Sequence, residues 1–250
     1  MTRQTFTVDP TTVPWKSLTL EQGGIVELQM YLKGTDGGPE AIRAKISDGY
    51  EVEPHFHLAA QFQLLLEGSM TFPTFRLDAP AVHYTEHNVP YGPFIVQGHD
   101  MLVLHTKPGG VVTMRDKVRR REANTRGREF TCCAHEVEWE PLPGHDGARR
   151  KILISATRGP SAEIIDCPPH MELPVPVVAY GRYEVVYKGS VFAEGKELGL
   201  KSVRFVAPGQ CPASLVCGPG GATVIVLTYD EDAAHSYGGS TEEVLARMEQ

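Results

Sequence analysis

The stretch that decides the reading is GYEVEPHFHLAAQFQLLLEG, residues 49–68. His55 and His57 flank Phe56, and on an extended strand residues two apart point to the same face. Two imidazoles on one face of an apolar segment are costly to bury unless hydrogen-bonded or bound to a metal. Gln61 follows on the run QFQLLLEG, with Gln63 on the same strand face and Gly68 closing the segment. Moving outward, six of the ten histidines (His55, His57, His83, His87, His99 and His105) fall between residues 55 and 105. An even spread would put only about two there.

The segments around this one are short, β-branched and broken by Gly, Pro, Asn or Asp. Examples are MLVLHT (101–106), KILISAT (151–157), YEVVYKGSV (183–191) and ATVIVLTY (222–229). Strands of that length, punctuated that often, predict an all-β sandwich or barrel. One helix is expected, over 241–249, where Ser240 and Glu243 form a capping box ahead of Val244, Leu245 and Met248.

The chain also repeats itself. LLLEGSM at 64–70 echoes VVYKGSV at 185–191, a shift of 121 residues, and the same shift pairs Leu77 with Leu198, Val82 with Val203, Ile95 with Val216 and Val103 with Val224. PWKSL at 14–18 resembles EWEPL at 138–142. This predicts two homologous β-domains, 1–114 and 130–250, joined by a basic linker over 115–129. Asn88 falls opposite Gly209, and both residue types tolerate the left-handed backbone of a tight turn.

The spacing G49-x5-H55-x-H57-x3-Q61-x6-G68 resembles the first motif of the cupin superfamily, G-x5-H-x-H-x3-E-x6-G, with Gln61 in place of the acid. With the repeat, the resemblance implies a bicupin: two tandem double-stranded β-helix, or jelly-roll, barrels. It also implies a divalent metal held by His55, His57 and Gln61, with one more ligand from a second motif. Two registers of that motif compete. One puts Pro90-Tyr91-Gly92 on P-x-G and Ile95 at the histidine. The other matches AVHYTEHNVPY (81–91) and places Tyr91 there, and the repeat favours it. Tyr91 is then a ligand, a substrate contact or a packing residue. His105, in an otherwise apolar strand where the repeat has Val226, is a further candidate ligand, or else a donor to Gln61 or a core histidine. His83 and His87 are read as rim residues near the barrel mouth. His105 or His87 would serve as general acid or base, with Tyr91 fixing the substrate. In the second barrel the same shift replaces His55, His57, Gln61 and Tyr91 by Pro176, Val178, Arg182 and Pro212, so that copy is read as degenerate, a structural or dimer-forming barrel.

Composition narrows the function. The 250 residues carry a net charge of −7, which argues against general nucleic-acid affinity despite the basic run Arg115, Lys117, Arg119, Arg120, Arg121, Arg126 and Arg128. The longest apolar runs are far below the ~18 residues that span a bilayer, and no signal peptide is expected. Five cysteines without regular spacing suit reduced thiols in the cytoplasm. The expectation is a cytoplasmic homodimer with a small-molecule partner, binding neither nucleic acid nor membrane. Its function is expected to be that of a metal-dependent enzyme, a dioxygenase-like oxidoreductase on a small organic acid or phenolic compound. Iron is the first choice of metal, with Zn, Ni or Mn as alternatives. The competing readings are a metal-dependent isomerase or lyase and a non-catalytic binding bicupin.

Overall fold

Gly68, the last position of the motif, explains how the first barrel turns. It sits at φ 78° at the bulge in the antiparallel ladder between Gln61–Thr71 and Phe94–His105, and a Cβ there would meet the Gln97 and Gly98 carbonyl oxygens at 2.2 and 2.3 Å. Only glycine allows that approach, because a side chain would be both strained and clashing. Gly189 repeats the device in the second barrel: at φ 69°, its added Cβ would lie 2.1 Å from the Gly221 carbonyl oxygen. The two glycines are 121 residues apart, as the repeat requires.

The computed structural model describes residues 5–20, 23–173, 177–231 and 233. The helix expected over 241–249 lies outside the described residues. The rest is an all-β chain of two barrels, each built on a nine-stranded antiparallel sheet. In the first, Gln61–Thr71 lies between Ala81–Thr85 and Phe94–His105, and the latter also pairs with Glu40–Ile46. In the second, Arg182–Ala193 lies between Val203–Val206 and Leu215–Thr228, which also pairs with Ser161–Cys167. Alternation, its phase reset at the bulges beside Gly68 and Gly189, sends Leu65, Met70, Phe94, Val96 and Met101 into one core with Tyr91, and Val186, Val191, Cys217 and Val224 into the other with Leu198.

The ungapped repeat fails at one place. Gln61 faces His105 across the ladder, whereas Arg182 faces Thr228 and Glu184 faces Val226. The counterpart of His105 is therefore Thr228, not Val226. The last strand of the second barrel has 14 residues against 12 in the first, and the two extra residues are absorbed in the irregular stretch before Gly221. Gly98 and Gly221, which face Gly68 and Gly189 across the two bulges, accordingly stand 123 residues apart.

The expected boundaries also shift. The compact units are Val13–Cys133 and, for the second, Ala134–Glu231 with the residues up to Thr12. Phe6–Val8 pairs with Val203–Val206 in the second unit, and Glu129–Cys133 pairs with Ala81–Thr85 in the first. The registers match: Phe6 faces Phe205, and Phe130 faces Tyr84. An edge strand left bare would expose unpaired backbone groups, and in each barrel the segment preceding the other repeat covers it. Nor is the basic stretch a free linker. Arg115 pairs with Glu53 and Arg128 with Glu86, both within the first unit, while Arg119 meets Glu122 at 3.2 Å. No helix among the described residues is long and apolar enough to cross a membrane.

Candidate functional site

The histidine pair lies on a short ribbon, His55–His57 against Val111–Thr113. Phe56 points away, packed with Leu58 and Val112, so His55 and His57 turn inward together. A backbone bridge joins His55 to Tyr91, N–H to carbonyl in both directions at 3.1 and 3.0 Å. Asn88, at φ 61°, makes the turn that delivers Tyr91, and its N–H donates to the His57 carbonyl at 2.7 Å.

Tyr91 lies at the centre of a hydrogen-bond network. Its hydroxyl donates to His55 Nε2 at 2.7 Å and accepts from the side-chain amides of Gln61 (3.0 Å) and Gln63 (2.6 Å). Gln61 also donates to Thr85 Oγ1 at 3.1 Å, and the Gln63 carbonyl accepts from His83 Nδ1 at 2.8 Å. His83 Nε2 in turn meets the Glu129 carboxylate at 2.9 Å. His83 is 1% exposed, so it is an interior member of this network and not the rim residue expected. His87 is not brought in: among the described residues no hydrogen bond or ring contact joins it to the cluster.

The test of a metal ion rests on the imidazoles. His55 Nδ1 donates to the Glu53 carbonyl at 2.6 Å, and His105 Nδ1 to the Ala60 carbonyl at 3.3 Å. A ring tethered that way turns its Nε2 lone pair away from the carbonyl, the usual arrangement of a ligating histidine; on His55 that lone pair accepts from the Tyr91 hydroxyl, which an ion bound there would displace. The His57 ring stands between them, 5.4 Å from His55 and 5.2 Å from His105 between centroids. Burial lowers the His55 and His105 pKa values to about 4, and it takes His57 well below its ordinary range with help from His105 and His55. All three are neutral at pH 7, as ligands must be. His57 Nδ1 and Gln61 Oε1 are buried without a hydrogen-bond partner. Gly109 lets the His105 ring pack directly on its backbone, since a Cβ there would lie 2.3 Å from Nε2. The donor set of three imidazoles and one amide oxygen suits a divalent transition metal. The spacing is looser than in a tight cage: among the described residues, the trio of His, Cys, Asp or Glu donor atoms lying within 4.8 Å of one another is Cys133, His135 and Glu136. There the Cys133 thiol already accepts from the Asp78 N–H at 3.4 Å.

Thr85, the Glu53 and Ala60 carbonyls and Glu129 escape a reading of the sequence. Glu129 falls at the end of the expected linker, 115–129, and a backbone carbonyl carries no residue signature. For Gln63 and His83 a signal existed. Their repeat partners, Glu184 and Arg204, are also polar, and polar residues at matching strand positions of two barrels are unusual in a core.

No family model matches the chain, and no curated protein matches it. Solved structures do. A candidate dioxygenase from Nostoc punctiforme superposes with a TM-score of 0.69 at 14% identity, covering 96% of this chain and 89% of that one. Oxalate decarboxylase from Bacillus subtilis gives a TM-score of 0.61 at 14% identity, over 98% of this chain and 80% of that one. The formate complex of Lactobacillus farciminis oxalate decarboxylase gives 0.61 at 11% identity, over 99% and 91%. At these identities the likeness establishes the fold, two cupin-type barrels.

Proposed function

We propose that the first barrel holds one divalent transition metal on His55, His57, His105 and the Gln61 amide oxygen, and that the protein is a metal-dependent enzyme acting on a small organic acid or phenolic compound, most simply a dioxygenase. The observation that carries this reading is the tethering of His55 and His105 through Nδ1 to backbone carbonyls, with burial keeping the rings neutral. Iron is the first expectation; zinc, nickel or manganese would fit the same donors. When bound, such an ion supplies Lewis-acid or one-electron chemistry at an open position. The chain's own groups do the rest. Burial pushes the Tyr91 phenol above its ordinary pKa, so it stays a hydrogen-bond donor, and Gln61 and Gln63 fix its oxygen. Phe94 stacks beside Tyr91 with centroids 6.2 Å apart, helping to keep water from the site. The fold is shared with proteins described as a dioxygenase candidate and as oxalate decarboxylases, which supports a small acid as substrate.

A second reading is favoured by Tyr91 itself. Its hydroxyl is satisfied by His55, Gln61 and Gln63 alone, as in a barrel that binds a small molecule without metal. Elemental analysis by plasma mass spectrometry separates the two, on protein prepared without histidine tag or chelator beside His55→Ala/His57→Ala. Near-stoichiometric iron lost in the double variant supports the oxygenase and directs an oxygen-consumption screen of phenols and keto acids. Zinc, nickel or manganese moves the proposal to isomerase or lyase chemistry. No metal after reconstitution overturns it in favour of the binding barrel. The proposal places the protein in the cytoplasm as a homodimer; no disulfide joins its five cysteines, which supports the first.

A further inference from the structure

The second barrel has lost the histidines but not its polar interior. At the positions of Gln61, Gln63 and His83 it carries Arg182, Glu184 and Arg204, all buried. The Glu184 carboxylate is held from both sides, accepting from Arg182 Nη2 at 2.6 Å and from Arg204 Nε at 2.5 Å. Arg204 Nη1 donates to the Ala213 carbonyl at 2.8 Å. Two guanidinium groups against one carboxylate leave a positive charge in excess. Arg182 Nε and Arg204 Nη2 are buried with no acceptor. Buried donors are nearly always satisfied, and each exception asks for an explanation. Burial has already lowered the Arg182 pKa against the pull of Glu184, which reports how poorly its charge is compensated.

Beside this trio is a cavity of about 270 Å³ with Arg182 and Glu184 in its wall. The rest of the wall is largely aliphatic, including Leu173, Leu215, Val224 and Val226. Arg150 and Glu163 also line it, 3.6 Å apart and paired with each other. We propose that this cavity is a second ligand site, one that binds a small monocarboxylate with a short aliphatic body: the carboxylate on Arg182, the chain against Leu173, Leu215 and Val224. A single excess charge matches a monoanion. The Glu184 and Glu163 carboxylates disfavour a dianion, and the aliphatic wall disfavours a strongly hydrated inorganic ion. Arginine at the position of Gln61 excludes a metal from the equivalent place, so the site does not depend on the metal chemistry proposed for the first barrel.

Calorimetric titration of the full chain in EDTA, with pentanoate as probe and pentanamide as its uncharged control, tests this. Pentanoate is expected to bind, with pentanamide at least tenfold weaker. Arg182→Met should weaken pentanoate at least tenfold; Glu184 keeps Arg204 as its partner in that variant. Should Arg182→Met not fold, Val226→Phe fills the cavity from a half-buried position and is expected to abolish binding. His55→Ala/His57→Ala should bind pentanoate as the parent does, so failure of the metal proposal leaves this result standing. The site is overturned if the parent shows no pentanoate heat or if pentanamide binds equally well. It is equally overturned if chloride competes on equal terms, or if a folded Arg182→Met or Val226→Phe variant binds like the parent.

Discussion

Tyr91 decides how the first site behaves, because one hydroxyl answers three buried groups. Tyr91→Phe keeps the ring and its stacking but leaves the Gln61 and Gln63 amides without their shared acceptor. A lost buried partner costs about 1–3 kcal/mol, so thermal unfolding should fall by several degrees. The same change relieves His55 Nε2 of its hydrogen bond, and metal content should be retained. Loss of metal in Tyr91→Phe would instead make the phenol a ligand. His99 presents a different case. It is 3% exposed, neither ring nitrogen has a hydrogen-bond partner, and burial lowers its pKa to about 4 against the opposing pull of Asp100. The unfolded ring titrates near 6.5. Between those values the unfolded chain takes up a proton that the folded chain refuses, so stability falls as pH drops from 6.5 to 4. The contribution is on the order of 3 kcal/mol over that window. Thermal unfolding between pH 7 and 4 should therefore be shallower for His99→Leu than for the parent, and parallel curves would show that His99 does not titrate there.

At the scale of the element, the ladder bulges at Gly68 and Gly189 bend the long strands of each barrel. Ala at either position combines a positive φ, worth about 1–2 kcal/mol, with a Cβ driven into a carbonyl of the neighbouring strand. Gly68→Ala and Gly189→Ala should each destabilise by more than the backbone cost alone, and thermal unfolding reads the loss. This level of structure was legible because glycine spacing, strand length and the paired histidines are local patterns. The strand QFQLLLEGSM, the same-face pair His55 and His57, and the Asn88 turn all follow from such patterns. The two-residue difference that puts Thr228 opposite Arg182 was not legible. It sits in an irregular stretch where side chains say little about which extra residue is absorbed. Glu129 was missed for a related reason: its pairing with His83 joins residues 46 apart, and nothing in the charge run 115–129 separates a solvated linker from a strand.

For the whole molecule, the edge strands matter more than the repeat boundary suggests. Each unit closes only with a strand from the far side of that boundary, Phe6–Val8 on Val203–Val206 and Glu129–Cys133 on Ala81–Thr85. Removing residues 1–8 should therefore weaken the barrel that begins at Ala134, although the deletion lies at the opposite end of the sequence. The chain carries its own reporters, since Trp15 belongs to the first unit and Trp139 to the second. Arg43 lies over the Trp15 ring and Arg149 over the Trp139 ring, at 5.0 and 4.5 Å from the centroids, so each fluorescence signal reports local packing. In a Trp15→Phe background the deletion should lower the Trp139 unfolding midpoint by several degrees. In a Trp139→Phe background the Trp15 transition should keep its midpoint, because Val13–Cys133 retains its edge strand. Equal losses at both tryptophans would mean that the two units unfold as one, and a loss at Trp15 alone would assign Phe6–Val8 to the wrong barrel.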